Sequence, residues 1–359
     1  MKKHRNGTRF MRFNLTISLT AACLFGAVSA PADSWMGRID GNTYVAQLSI
    51  PGTHDACTGE GFETCYRVWG DLYARTQEKT IAQQWDCGIR AFDLRPTVVQ
   101  DTGKKAYLRI YHGIMPTQVT LSDVFNTLQK KLQQEPTEFA IVVMRHENNA
   151  DHNNPQWGAL IKSLLTSDAY KGLFADYTPN LTVNDLRGKI LVLSRDAYDT
   201  LPIGGFITSW SHEADFASQN SARINGPKET GSLAVQDYYD TSVEGAMQAK
   251  QNALITMLNY SATLNKNTDT NMKWVINHAS GYSLVSTLMD SPISLSDGYR
   301  HNASVTNQAV INYLTDKSHT GPTGIVMMDY AGVDLSGEYD VLGLELTKVL
   351  IQNNFRFKM

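Results

Sequence analysis

The sequence predicts an α/β fold, a single-domain (β/α) barrel that is distorted or incomplete, and three observations point there. Short runs rich in Val, Ile and Leu recur along the chain, helical patterns separate them, and several runs are followed at once by an ionisable residue. Runs this continuous suit strands buried on both faces of a parallel sheet. Alternation with helices closes such a sheet into a barrel, whose reactive groups stand at the C-terminal ends of its strands.

Residues 1–30 read as an export signal rather than as part of the fold. Lys2, Lys3, Arg5, Arg9 and Arg12 precede an apolar run from Leu15 to Val28, and Val28-Ser29-Ala30 offers small residues for cleavage. Neither that run nor any later one reaches the roughly 20 residues a membrane-spanning helix needs. The mature part, 31–359, is expected to be one barrel domain, exported to the periplasm or secreted. It would carry 27 Lys+Arg against 35 Asp+Glu, a formal charge of -8. That excludes a nucleic-acid partner, which needs a basic face, and membrane attachment driven mainly by anionic lipid. Cys57, Cys65 and Cys87 form no C-x-x-C pair and no zinc pattern; Cys57 with Cys65 could close a small loop in an oxidising compartment. Cys87 reads as a buried small residue.

Strands are expected at 46–50, 89–94, 107–111, 139–144, 190–194, 274–277 and 324–329. Leu121, Val124, Phe125, Leu128 and Leu132 keep one helical face, with Thr120 placed to cap it. Further helices are expected at 156–165, 242–264, 304–315 and 339–352. The stretch 201–229, with Pro202, Gly204, Gly205, Gly226 and Pro227, reads as long loops at one end of the barrel, where substrate contacts usually lie.

His54 ends the first apolar run and His112 the third, and Asp93 and Arg95 close the run between them. An imidazole, with an ordinary pKa near 6.5, can take or give a proton near neutrality, each role being typically worth about 10²- to 10⁴-fold. A guanidinium aimed at phosphoryl oxygens adds roughly 3 kcal/mol, by analogy with a single oxyanion donor. Together these groups suit proton-coupled attack at phosphorus. Taken singly, each is more often structural: a satisfied histidine, or an Asp93–Arg95 ion pair.

The segments IPGTHD, VWG, GIRAFDLR, HG, VQDYY and MMDY, in this order from about Leu48 to about Tyr330, resemble the catalytic domain of bacterial phosphatidylinositol-specific phospholipase C, the X-domain family. The resemblance implies a distorted TIM-type barrel that cleaves phosphatidylinositol to diacylglycerol and inositol 1,2-cyclic phosphate, and sometimes releases glycosyl-phosphatidylinositol-anchored proteins. It makes His54 the general base and His112 the general acid. Asp329 is then the carboxylate paired with the base and Asp55 the one paired with the acid, while Arg95 binds phosphate with Asp93 beside it. Arg195, Asp237 and Tyr239 match positions that contact the inositol ring. Arg145 stands where close relatives carry lysine, and Tyr238 where a polar residue is expected. Trp69 falls in a membrane-facing rim, consistent with peripheral membrane contact by a monomer; its alternative is a partly buried surface tryptophan.

In calcium-dependent relatives, the position two after the first acid of this strand is acidic and an Asn follows the first histidine. Here those positions hold Arg95 and Asp55, and a cation beside Arg95 would meet like charge with an incomplete oxygen ligand set. No metal and no cofactor is expected. His146, His152, His212, His301 and His319 match no pattern and read as background; His278, after an apparent strand, is the least secure of that group. Two other functions compete: a metal-dependent glycerophosphodiester phosphodiesterase, which needs glutamates near the first histidine that IPGTHDA does not supply, and a catalytically inactive protein binding lipid or inositol phosphate.

Overall fold

Along a strand, successive side chains point to opposite faces, so a strand covered on both sides needs apolar residues at nearly every position. In a computed structural model describing residues 34–210, 222–265, 271–283 and 295–357, the runs of Val, Ile and Leu become such strands. The strands are β1 (Ser49–Thr53), β2 (Ala91–Leu94), β3 (Pro96–Val99), β4 (Tyr107–His112), β5 (Met115–Thr120), β6 (Ala140–Met144) and β7 (Phe174–Ala175). They continue as β8 (Ile190–Ser194), β9 (Gly205–Thr208), β10 (Arg223–Asn225), β11 (Thr230–Gln236), β12 (Trp274–His278) and β13 (Gly324–Met328). The export signal expected at 1–30 lies outside the described residues.

Among the described residues, nine of these strands close a barrel in the order β6-β2-β1-β13-β12-β11-β10-β9-β8, with β8 returning to β6. All pairs are parallel except those of β10, which runs antiparallel to both neighbours, and β7 adds a short strand beside the start of β8. The barrel is therefore distorted but not incomplete. The stretch 201–229 is corrected in part: β9 and β10 come from it and close the ring. Both strands are short, β9 opens on a glycine, and β10 breaks the parallel pattern, which hides them from a search for long apolar runs.

Alternation along the strands produces two cores. Ile141, Val143, Leu191, Leu193, Ile276, Ile325 and Met327 fill the barrel together with Trp35, Met36 and Val45 from the segment that precedes β1. Their neighbours Ala140, Val142, Met144, Ile190, Val192, Val326 and Met328 face outward under the helices. At Gly52 the interior leaves no room, since a Cβ there would lie 2.7 Å from Met327 Sδ.

The outer layer comprises α1 (Arg67–Tyr73), α2 (Ile81–Asp86), α3 (Leu121–Gln134), α4 (Trp157–Leu165), α5 (Val183–Leu186), α6 (Ala246–Thr263), α7 (Leu295–Thr315) and α8 (Gly343–Asn353). Thr120 caps α3 as expected: its hydroxyl accepts from Asp123 N, and the Asp123 carboxylate accepts from Thr120 N. Such a reciprocal cap is typically worth about 1 kcal/mol. α7 starts nine residues before its expected first residue, because its opening turns bury polar residues such as Ser296 and Asn302 and show no apolar period.

A second correction concerns 107–111, which is not a barrel strand. β3, β4 and β5 form a separate antiparallel sheet with partly exposed residues, continuing directly from β2 through Arg95. Cys57 is buried and Cys65 exposed, and the two are not bonded; Cys87 is half-buried rather than buried.

Candidate active site

The alternation that fills the barrel also aims the chemistry. Ile50 and Gly52 face inward on β1, Ala91 on β2, Ile276 on β12 and Met327 on β13, and the next positions of the same parity are His54, Asp93 then Arg95, His278 and Asp329. Arg145, Arg195 and Asp237 follow β6, β8 and β11 in the same way. The strands are parallel, so these side chains collect at one rim. Asp55 joins His54 because it takes a left-handed conformation, φ 43°, turning the chain sharply after β1. In a continuing strand it would point away from its neighbour.

His54 is 1 % exposed, and its Nδ1 lies 2.8 Å from Asp329 Oδ1. Its Nε2 lies 3.1 Å from Asp55 Oδ2 and 3.0 Å from Arg95 Nη2. His112 arrives from β4, outside the barrel. Its Nδ1 donates to the carbonyl of Ala74, at 2.7 Å, and its Nε2 lies 3.2 Å from the same Asp55 Oδ2. The two imidazoles, with centroids 6.2 Å apart, thus present Nε2 to a shared volume. Each Nδ1 meets a fixed acceptor, which leaves Nε2 free for proton transfer.

Arg95 Nε lies 2.7 Å from Asp55 Oδ1 as an ion pair, and its Nη2 donates to Asp93 Oδ2 at 3.2 Å. Glu147, which the sequence reading missed, brings a buried carboxylate 3.7 Å from Arg95 Nη1. Its only signal is a position just past β6. Burial pulls the His54 imidazole down, but Asp55 and then Asp329 more than offset this and raise it to about 9. Burial also opposes the charge on Asp93, yet Arg95 and then His54 hold it below the usual carboxylate range. Asp329 is pushed up by burial, with His54 opposing.

The remaining expected residues surround this centre. Tyr239 sets its ring 5.8 Å from that of His54 and donates its hydroxyl to Tyr299 Oη. Asp237 accepts from Trp210 Nε1 at 2.8 Å, and the Arg195 guanidinium lies 4.1 Å over the Trp210 ring. Burial brings Arg195 down to about 10. Arg145 is half-buried at the same rim, and Tyr238 is half-buried with its amide donating to Gln236. Tyr299 and Trp210, both missed, reach the site from α7 and from the end of β9, elements whose sequences show no motif. His278 was read as background, although inward parity from Trp274 and Ile276 marked it. His146 keeps a structural role, bonded to Asp151 at 2.8 Å and stacked on Trp157. His212 lies outside the described residues.

Ligand atoms of His54, Asp55 and Asp93 lie within 4.8 Å of one another, close enough for a cation. The guanidinium of Arg95 already forms ion pairs with both carboxylates, so a cation there would face like charge at its own ligands.

Residues 49–196 match the family model described as phosphatidylinositol-specific phospholipase C, X domain. The match spans 148 of the chain's 359 residues. The segment carries His54, Asp55, Asp93, Arg95 and His112, whereas Asp237, His278 and Asp329 come from beyond it. The chain is 33 % identical over 175 residues, 47 % of its own length, to a 1-phosphatidylinositol phosphodiesterase of Listeria monocytogenes, of which the alignment spans half. To one of the same name from Staphylococcus aureus it is 26 % identical over 238 residues, 61 % of this chain and 69 % of the relative. The barrel is similar to that of the Listeria phosphatidylinositol-specific phospholipase C, with a TM-score of 0.61 at 24 % identity over 90 % of this chain and 98 % of that one. The Staphylococcus aureus phosphatidylinositol-specific phospholipase C structure gives a TM-score of 0.67 at 22 % identity, covering 89 % and 96 %.

Proposed function

We propose that this chain is a phosphatidylinositol-specific phospholipase C, a diacylglycerol-lyase that works without a metal. The observation that carries the reading is the pair of histidines: each Nδ1 held by a fixed acceptor, each Nε2 facing Asp55, with Arg95 beside them. Neutral His54 takes the proton of the inositol 2-hydroxyl at Nε2 as that oxygen attacks phosphorus. The bond from phosphorus to the glycerol oxygen breaks, and His112 gives its Nε2 proton to the departing oxygen. Because the nucleophile belongs to the substrate, proximity lowers the barrier by several kcal/mol. Arg95 stabilises the phosphoryl oxygens through a planar fork that Asp55 and Asp93 keep in place.

Ala74, which orients His112, directly follows α1. Around that helix Tyr66, Val68 and Trp69 are exposed, with Trp69 stacked on Tyr73. An exposed apolar helix beside the group that protonates diacylglycerol fits a surface dipping into the lipid interface. No helix among the described residues is long and apolar enough to cross a membrane. Export by the 1–30 signal, action as a monomer and release of glycosyl-phosphatidylinositol anchors belong to the same proposal.

Phosphorus spectroscopy of the protein incubated with phosphatidylinositol micelles and EDTA tests it. A cyclic inositol phosphate signal is expected. Metal-dependent cleavage of glycerophosphoinositol would support the phosphodiesterase instead, and binding without turnover would support the inactive relative.

A further inference from the structure

His278 stands at the same rim, yet the proton transfers above do not use it. It ends β12, is 4 % exposed, and sets its ring edge-to-face with His54 at 6.2 Å and with Trp210 at 5.6 Å. Its Nδ1 lies 2.9 Å from Ser280 Oγ and 4.0 Å from Asp237 Oδ1. Its Nε2 is buried and has no hydrogen-bond partner among the described residues. Burial brings the imidazole down to about 3, so it is neutral at physiological pH. A carboxylate on the Nδ1 side favours the tautomer protonated there, which leaves Nε2 as a bare acceptor. An unpaired buried acceptor is destabilising, and an apolar ring would fill the same space without that cost.

We infer that His278 is a substrate-binding residue whose Nε2 accepts a hydrogen bond from a free hydroxyl of the cyclic polyol headgroup, beside the Asp237 carboxylate. This rests on the reading of the site as a phosphatidylinositol lyase. Asp237 Oδ2 accepts from the Trp210 indole, and its Oδ1 lies 4.0 Å from His278 Nδ1, which places the carboxylate beside the imidazole. Ser280 fixes the imidazole, and Lys250 in turn donates to the Ser280 carbonyl at 2.9 Å, which ties this contact to the barrel wall.

Two measurements test the inference. In the first, the wild type, His278→Phe and His278→Gln are compared on phosphatidylinositol and on analogues that each lack one ring hydroxyl. Phe keeps the ring contacts and removes the nitrogen; Gln returns a polar group near Nε2. His278→Phe should raise KM about tenfold with little change in kcat, the effect of one lost hydrogen bond. One deoxy analogue should be about tenfold poorer for the wild type and no poorer than phosphatidylinositol for His278→Phe, with Gln restoring part of the difference. A KM that does not move, or a deoxy penalty that persists in His278→Phe, overturns the assignment.

The second measurement follows the imidazole nitrogens of His278 by 15N NMR as myo-inositol is added to the wild type, and needs no turnover. A saturable shift at Nε2 is expected, and an unmoved resonance overturns the assignment. A saturable shift without release of cyclic phosphate would sink the lyase reading and spare the contact. Turnover with an unmoved His278 would do the reverse.

Discussion

Asp329→Asn separates the electrostatic role of the buried carboxylate from its shape. Asp329 Oδ1 lies 2.8 Å from His54 Nδ1, and both side chains are shielded from water. With charge centres about 4 Å apart and an effective dielectric near 20, the lost attraction is about 4 kcal/mol, equivalent to at most about 3 pKa units. Asp55 remains in place, so the imidazole should fall from about 9 toward its ordinary 6.5. A base must be neutral to accept a proton, so the limb of the kcat/KM profile that His54 sets should lie near pH 9 in the wild type and one to two units lower in the variant. The asparagine amide also no longer forces the proton onto Nδ1. Loss of that tautomer control costs about 10³- to 10⁴-fold in other His–carboxylate pairs. Profiles of kcat/KM from about pH 5.5 to 10, with circular dichroism as a check on folding, measure both effects. A folded variant within tenfold of the wild type, or a limb that fails to move downward, would refute the pairing.

Other expectations follow from neighbouring contacts. Arg95→Lys keeps the charge but loses the fork that spans Asp55, Asp93 and His54, so turnover should fall by about 10²-fold or more while the wild type stays indifferent to EDTA; steady-state assays check both. Lys250 is fully buried and brought from 10.5 down to about 7 by burial, against Asp237 and Asp329. Between those values the unfolded chain binds the extra proton, so this group makes stability rise with pH across that window. Lys250→Met should remove a slope of about 1.4 kcal/mol per pH unit, and urea denaturation at several pH values should show no change of slope if that linkage is absent. Trp69→Ala should weaken binding to phosphatidylinositol vesicles about tenfold and leave turnover of a soluble inositol phosphodiester unchanged; loss of both would point to a structural tryptophan instead.

Much of this architecture was legible because burial on both faces forces a recognisable composition. Runs such as Ala140–Met144 and Ile190–Ser194 can only be inner strands, and the residue after each stands at the rim. The barrel's closure was not legible, since β9 and β10 are three or four residues long and depend on pairing with distant partners rather than on their own pattern. The placement of His54, Asp93 and Arg95 followed from strand ends. His112 looked the same in sequence but comes from an antiparallel sheet laid over the rim, which local periodicity does not distinguish. Tyr299 and Trp210 enter through tertiary packing alone. His278 could have been found, because Trp274, Ile276 and His278 share one parity and the first two fill the barrel.

Leaving-group dependence tests the division of labour between the two histidines most directly. A general acid matters only when the departing oxygen is strongly basic, so an aryl inositol phosphodiester should react nearly as fast with His112→Ala as with the wild type, although the same variant loses orders of magnitude on phosphatidylinositol. His54→Ala should stay slow on both substrates, since the 2-hydroxyl still needs its base. Equal rescue of the two variants, or rescue of His54→Ala alone, would contradict the assignment of base and acid.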